Sequence, residues 1–380
     1  MGSSEFRPFP DRPLRVLLVG PTLDTIPGGI AVQADRLVKR LNQLPGIRID
    51  QLSIVPTAPG PFRALQRIPG VRTLVTLATF VGQLFRRIPD YDVVHVNSAR
   101  FSSFVISSLP AVIVAKLRRR PTILNYRNGN LAVELQRFRI FRRLLTWPDV
   151  LVVPSGFLEA VLAKVGLHAR VITNQVDLNK FGYRVRDPLR PVFLSCRHFE
   201  DLYDVPTIIR AFRRIQDRFP EARLDVAGKG SQETLVRDLT ASLQLQGVNF
   251  LGQIPAEGMA ALYDGADVLL NSSVIDNTPG SLIEALAAGL PVVSTDAGGI
   301  PFIVTDQQTG RLVSCGDDAA LAAAAIEALE HPAETLAMAE RGRREAEQRY
   351  AWECVRDLWL ALYGELAARR GGPRVAEPVG

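Results

Sequence analysis

Cysteine is scarce. Three residues (Cys196, Cys315 and Cys354) lie far apart in a chain of 380, too few and too scattered for a disulfide framework or a zinc site. They read as reduced thiols packed in cores. No apolar run reaches the roughly 18 residues that a membrane-spanning helix needs. A secretory leader is missing too: "MGSSEFRPFPDRP" at the start is polar and broken by proline, and its first residues read as a cloning remnant. These absences predict a cytoplasmic protein, with the inner face of a membrane as a candidate surface. Zinc modules, helix-turn-helix signals and RNA-binding aromatic motifs are lacking as well, which argues against nucleic acid as a partner.

Acid is absent from one long stretch. Residues 61–87, "PFRALQRIPGVRTLVTLATFVGQLFRR", mix arginine with apolar residues and contain no carboxylate. "KLRRR" (116–120) and "RFRIFRR" (137–143) add cationic charge nearby in sequence. Residues 1–180 carry 25 Lys/Arg against 11 Asp/Glu, while residues 181–380 carry 20 against 28. Arginine above an apolar helix face suits an anionic membrane surface. It equally suits an amphipathic helix packed on its own sheet with solvated arginines. Any single segment fits the second reading better; the charge of the whole half favours an anionic partner.

Apolar and charged contents of 47% and 22% are those of an ordinary globular protein, and the length suits two domains. Short β-branched runs alternate with helical patterns almost from end to end. "LRVLLVG" (14–20), "DVVHVNS" (92–98), "PTILNY" (121–126) and "DVLVVPS" (149–155) form one series of strands. "PVFLSCR" (191–197), "RLDVAGKG" (223–230), "VNFLGQI" (248–254), "DVLLNSS" (267–273) and "PVVSTDAGG" (291–299) form a second. Near-continuous apolar strands between helices predict parallel sheets covered on both faces. The expected fold class is therefore α/β with two Rossmann-like domains. The first covers 1–185 with a returning helix at about 350–370, and the second covers 186–349. Their join falls in "NKFGYRVRDPLRP" (179–191), and ligands are expected in a cleft between facing domains, beyond the carboxyl ends of the strands.

The stretch "DNTPGSLIEA" (276–285) carries the strongest chemical signal. Thr278 reads as an N-cap and Pro279 as the first helical residue. Gly280 and Ser281 then present first-turn amides at the positive end of the helix dipole, where an anion can be held. Glu284 lies one turn deeper on the face of Gly280, placed to accept hydrogen bonds from a ribose diol. Asp276, at the mouth, faces the other end of such a ligand. A capped helix with Glu284 bonded to a neighbouring loop explains the same residues equally well.

That stretch and its sequel "LAAGLPVVSTDAGGIP" resemble the signature region of the retaining GT-B glycosyltransferases of family 4. "RVLLVGPTLDTIPGGIAVQADRLVKRL", "YDVVHVNS", "RPTILNYRNG", "LSCRHFEDLYDVPTIIRAF", "LDVAGKGSQETL" and "VNFLGQIPAEGMAALYDGADVLLNSS" follow in family order. The resemblance implies a GT-B fold whose C-terminal helix returns towards the N-domain. It implies that Arg197 and the amides of Gly280 and Ser281 hold the donor diphosphate, that Glu284 binds the ribose, and that Asp276 contacts the donor sugar, with Asn277 and Thr278 beside them. Gly28 and Gly29 would let a loop approach donor and acceptor. Gly228, Lys229 and Gly230 fall near the expected nucleotide, although a glycine pair after a strand also serves any tight turn. Gly298 and Gly299 fit a plain backbone turn at least as well.

Three departures from the family pattern stand out. The lysine usual shortly after the diphosphate arginine is replaced by Leu202 or Tyr203. The first acid is Asp276 where glutamate is usual, one methylene shorter. The histidine-glycine after "PTILNY" is Arg127-Asn128-Gly129, and Arg127 could supply the missing charge from the other domain. "DYD" (90–92) reads as charge at a strand entry, so no metal is expected. The implied activity is hexosyl transfer with retention, from a UDP- or GDP-linked sugar to a lipid-linked saccharide or other glycan precursor, without a separate cofactor. The alternatives are a non-catalytic glycan- or nucleotide-binding protein of the same fold and a nucleotide-sugar epimerase.

Overall fold

A computed structural model describes residues 12–26, 28–60 and 62–369. The opening stretch through residue 11, the terminal Gly/Pro tail from 370, Pro27 and Pro61 lie outside the described residues. The chain divides into two compact units. The first holds the described residues of Met1–Pro154, Glu159–Ile172 and Arg356–Gly380; the second holds Ser155–Leu158 and Thr173–Val355. The stretch 179–191 lies wholly within the second unit.

Each unit is built on one six-stranded sheet. In the first, β1 (Leu14–Gly20), β2 (Ile47–Ser53), β3 (Val93–Ser98), β4 (Thr122–Tyr126), β5 (Val150–Val153) and β6 (Arg170–Val171) are ordered β2-β1-β3-β4-β5-β6. In the second, β7 (Val192–Ser195), β8 (Arg223–Ala227), β9 (Val248–Gly252), β10 (Val268–Asn271), β11 (Val292–Thr295) and β12 (Arg311–Val313) are ordered β12-β11-β10-β7-β8-β9. Neighbouring strands pair in parallel throughout. All nine strands expected from apolar runs are present, and β2, β6 and β12 are additional. Two of those are only two and three residues long, too short to show a period. β2 is an edge strand, with a half-exposed pattern instead of an apolar run.

The second sheet shows why its strands read as unbroken apolar runs. Side chains alternate between faces, and both faces are covered. Phe193, Val268 and Leu270 pack on one side with the helices Val205–Arg218 and Asp318–Glu330. Leu194 and Leu269 pack on the other, against Leu282, Ile283 and Leu286 of the helix Gly280–Ala287.

Strand order places the ligand end of each unit. In the second sheet β7 leads to β8 on one side and has β10 on the other, so connections leave in opposite directions and open a crevice beyond the carboxyl ends of β7 and β10. In the first sheet the same reversal falls between β1 and β3. There a Cβ on Gly20 would come within 3.0 Å of the Cβ of Asn97.

The helix Trp352–Ala368 belongs to the first unit from Arg356 onward. It covers a polar part of that sheet. The ring of His95 on β3 stacks on Trp359 with centroids 4.6 Å apart, and its Nδ1 lies 2.8 Å from the Tyr363 hydroxyl. Burial, with Arg127 adding repulsion, pushes the His95 pKa down to about 3, so the ring is neutral at pH 7.

Candidate functional site

Arg197 and Asp276 flank the crevice of the second sheet. Arg197 follows β7 and Asp276 follows β10, and the two form a salt bridge in which each side chain is only 12% exposed. Arg197 is held from three directions. One terminal nitrogen donates to Asp276, the other donates to Ser281 Oγ at 3.1 Å, and the guanidinium lies over the Tyr203 ring, 4.0 Å from its centroid. The face of an aromatic ring attracts a cation without neutralising it. Tyr203, one of the two residues that could stand in for the family's lysine, thus supports the arginine and adds no charge of its own. Lys229 is exposed; its carbonyl accepts from the Phe199 amide at 3.1 Å.

The glycines of this region divide by what surrounds them. A Cβ on Gly228 would fall 2.1 Å from the carbonyl oxygen of Arg197, and one on Gly230 would fall 2.3 Å from that of Phe199. These two are needed so that the 228–230 turn can lie against the backbone that carries Arg197. Gly298 and Gly299 likewise accommodate the backbone oxygens of Asp276 and Asn277, at 2.2 and 1.8 Å from a Cβ. The Gly299 amide also donates to the Asp276 carbonyl at 3.0 Å. By contrast, a Cβ on Gly280 would have nothing within 4 Å, and the same holds for Gly28 and Gly29 in the first unit. No neighbour among the described residues requires glycine at those three positions.

The helix after Asp276 begins one residue later than its sequence suggests. Pro279 has an extended ψ of 114° and is itself the N-cap, so the helix runs Gly280–Ala287. Thr278 does not cap it. Its carbonyl accepts from Asn174 Nδ2 at 3.1 Å, which helps keep the entry extended, and its Oγ1 is buried without a hydrogen-bond partner among the described residues. Asn277 is fixed from the side by Ser155, whose hydroxyl donates to Asn277 Oδ1. The first-turn amides of Gly280 and Ser281 have no carbonyl one turn earlier in the helix to pair with, as at any helix start.

Glu284 lies one turn deeper and is half-buried. The Tyr263 hydroxyl, 3.2 Å from Glu284 Oε2 and 3.2 Å from the Ser281 carbonyl, is fully buried. Burial raises the Tyr263 pKa well above its ordinary value, so the phenol keeps its proton and donates it. Cys196 Sγ is 3.4 Å from the same hydroxyl, and burial pushes that thiol up to about 11. It is an inert neighbour and not a nucleophile at neutral pH. Nothing in the sequence singles out Tyr263, Asn174 or Ser155, because each reaches the site from a distant part of the chain.

The remaining candidates belong to the first unit. Arg127 follows β4, is half-buried, and has its pKa lowered to about 10 by burial, which leaves it charged at pH 7. Asn128 and Gly129 form the turn after it, with Asn128 Oδ1 accepting from the Asn130 amide at 3.2 Å. The second aspartate of "DYD", Asp92, takes both terminal nitrogens of Arg12 at 2.6 and 2.7 Å and the Arg15 amide at 3.0 Å.

Comparisons with known proteins agree with this layout. Residues 184–345 match the family Glycosyl transferases group 1, and residues 27–180 match Glycosyltransferase Family 4. Among curated proteins, the phosphatidyl-myo-inositol mannosyltransferase of Mycobacterium leprae is 30% identical over 49% of this chain and 50% of its own length. The sulfoquinovosyl transferase SQD2 of Arabidopsis thaliana is 24% identical over 70% of this chain and 54% of its own. The chain thus spans about half the length of the curated relatives it matches. Among solved structures, a sucrose-phosphate synthase of Thermosynechococcus elongatus superposes with a TM-score of 0.74 at 22% identity, covering 93% of this chain and 99% of that one. Anabaena HepE in complex with UDP gives 0.72 at 17% identity over 93% and 100%. At these identities the structures establish the fold.

Proposed function

Since the chain belongs to the group 1, family 4 glycosyltransferases and has their GT-B fold, we propose that it transfers a hexosyl residue with retention from a nucleotide sugar to a glycan-precursor acceptor. The observation that carries this reading is the arrangement at the crevice of the second sheet. A largely buried arginine and a helix N-terminus meet there, with one carboxylate beside them and a second one turn deeper. Breaking the bond between sugar C1 and the diphosphate builds negative charge on the leaving group. Arg197 and the amides of Gly280 and Ser281 are fixed donors for that charge, and such donors act most strongly where water is excluded. Glu284, oriented by Tyr263, accepts from the ribose hydroxyls. Asp276 faces the sugar, where positive charge grows. The departing phosphate oxygen takes the acceptor proton on the same face, which yields retention without a metal or a separate cofactor. Gly28, Gly29, Asn128 and Gly129 enter through the family resemblance alone, and Arg127 as the cation proposed to replace the family's missing lysine.

A UDP- or GDP-linked sugar is the proposed donor and a lipid-linked saccharide the proposed acceptor. One relative is named for mannosyl transfer to a phosphatidyl-myo-inositol. The first unit also carries a surface suited to an anionic membrane. Phe62, Leu65, Ile68, Val71 and Leu74 recur at every third position and are 57, 37, 46, 37 and 69% exposed, with Arg63, Arg67 and Arg72 between them and no acid in the stretch. No helix among the described residues is long and apolar enough to cross a membrane.

Two experiments test these proposals. Incubation with a panel of UDP- and GDP-sugars is expected to release free nucleotide from one of them. Absence of turnover with every donor, with saccharide binding intact, would replace the enzyme by a binding protein. Flotation with liposomes is expected to show association that needs anionic lipid and weakens with salt. Equal flotation on neutral liposomes, or none, removes the membrane surface from the proposal.

A further inference from the structure

We propose that Asp276 is an internal counter-anion that competes with the donor diphosphate for Arg197, so that this one carboxylate sets nucleotide affinity as well as facing the sugar. The inference rests on the donor-site reading and adds a property that reading does not contain. An unpaired guanidinium in so closed a place would be costly. Asp276 removes that cost in the unliganded protein by occupying the anion position on Arg197.

The match between the two is incomplete. Among the described residues, Arg197 Nε is buried and has no acceptor, and one of the two terminal nitrogens is engaged by a neutral hydroxyl, that of Ser281. A diphosphate, with several oxygens, can engage a guanidinium through two parallel bonds. It therefore offers Arg197 what a single aspartate oxygen does not.

The geometry also provides for the carboxylate after displacement. Asp276 Oδ1 already accepts from the Asn277 amide at 2.9 Å, and the Ser273 hydroxyl lies 3.4 Å from Oδ2. The backbone stays where it is, since the Asp276 carbonyl is bonded to the Gly299 amide and the 298–299 turn is pressed against it. Exchange is thus a rotation of one side chain, while Arg197 remains seated on Tyr203. Affinity for the nucleotide is reduced by the fraction of molecules in which the pair is open.

Calorimetric titration of UDP, GDP and ADP into the wild type, Asp276→Asn, Arg197→Gln and the double variant tests this. If about a tenth of molecules have the pair open, Asp276→Asn binds the accepted diphosphate about tenfold tighter, while nucleotide-sugar turnover falls. That gain disappears in the Arg197→Gln background, and titration of the corresponding nucleoside, which lacks phosphate, shows none of it. Asp276→Ser, a second variant, gives the same sign. Binding to Asp276→Asn that is unchanged or weaker overturns the proposal. So does a gain that persists without Arg197, which would mark general charge repulsion instead of exchange. If no nucleoside diphosphate binds in a manner that depends on Arg197, the donor-site reading itself fails and the exchange fails with it.

Discussion

Replacing Arg197 with glutamine is expected to lower kcat/KM for sugar transfer by about a hundred- to a thousandfold, the cost of removing one fixed donor from a charge that develops in the transition state. Because that charge is greater in the transition state than in the bound donor, more of the loss should appear in kcat than in KM. Glutamine keeps a hydrogen-bond donor near Ser281 and Asp276 but brings no charge. The substitution also leaves Asp276 in a closed environment without its cation. The Asn277 amide and Ser273 hydroxyl still address that carboxylate, so thermal unfolding should move by a few degrees at most. Steady-state kinetics with the donor found by the panel measures the effect. A fall of less than tenfold, with the fold intact, would mean that the diphosphate is held elsewhere.

The largest effect on stability is expected at Arg186, a residue with no part in the chemistry. Its side chain is wholly buried, and each of its three nitrogens donates to a backbone carbonyl. Nε donates to Ala266, one terminal nitrogen to Arg184, Ala288 and Gly289, and the other to Tyr263, at 2.8 to 3.0 Å. The carbonyls of Tyr263, Ala266, Ala288 and Gly289 close the carboxyl ends of the helices Met259–Gly265 and Gly280–Ala287, which carry Tyr263 and Glu284. Burial, with repulsion from nearby Arg184 and against the pull of Asp267, lowers the Arg186 pKa to about 10. The group therefore remains charged at pH 7. Arg186→Met keeps much of the volume and removes a donor from five carbonyls, of which those of Ala266 and Ala288 also accept from Arg184, and a loss of about 3–5 kcal/mol is expected. In a unit of this size that lowers the melting temperature by about 10 °C. Arg186→Lys should recover little, because an ammonium has three donors and no planar fork. Urea unfolding measures both variants, and a loss below about 1 kcal/mol for methionine would show that water replaces the guanidinium.

How far each of these residues could be read from the chain depends on the range of the interaction behind it. Strands such as "LRVLLVG" and "DVLLNSS" are recognisable because both faces are buried, so their apolar residues run consecutively instead of alternating. The helix Gly280–Ala287 is recognisable because its start is marked by proline and glycine, although the first helical residue is displaced by one. Arg186 lies in a stretch without period that reads as a connection, and carbonyls from two distant segments, with that of Arg184 close by in the chain, give it its role.

The sequence by itself determined the α/β class, the two sheets, the family, and the residue types gathered in "DNTPGSLIEA". These depend on neighbours within one turn or one strand, and local sterics and burial leave their period in the chain. Only the tertiary structure decided that Asp276 pairs with Arg197, that Tyr203 lies under that arginine, and that Tyr263 reaches Glu284. Those partners come from separate strands and helices of the second sheet. Which of them meet depends on the order in which β7 and β10 lie side by side.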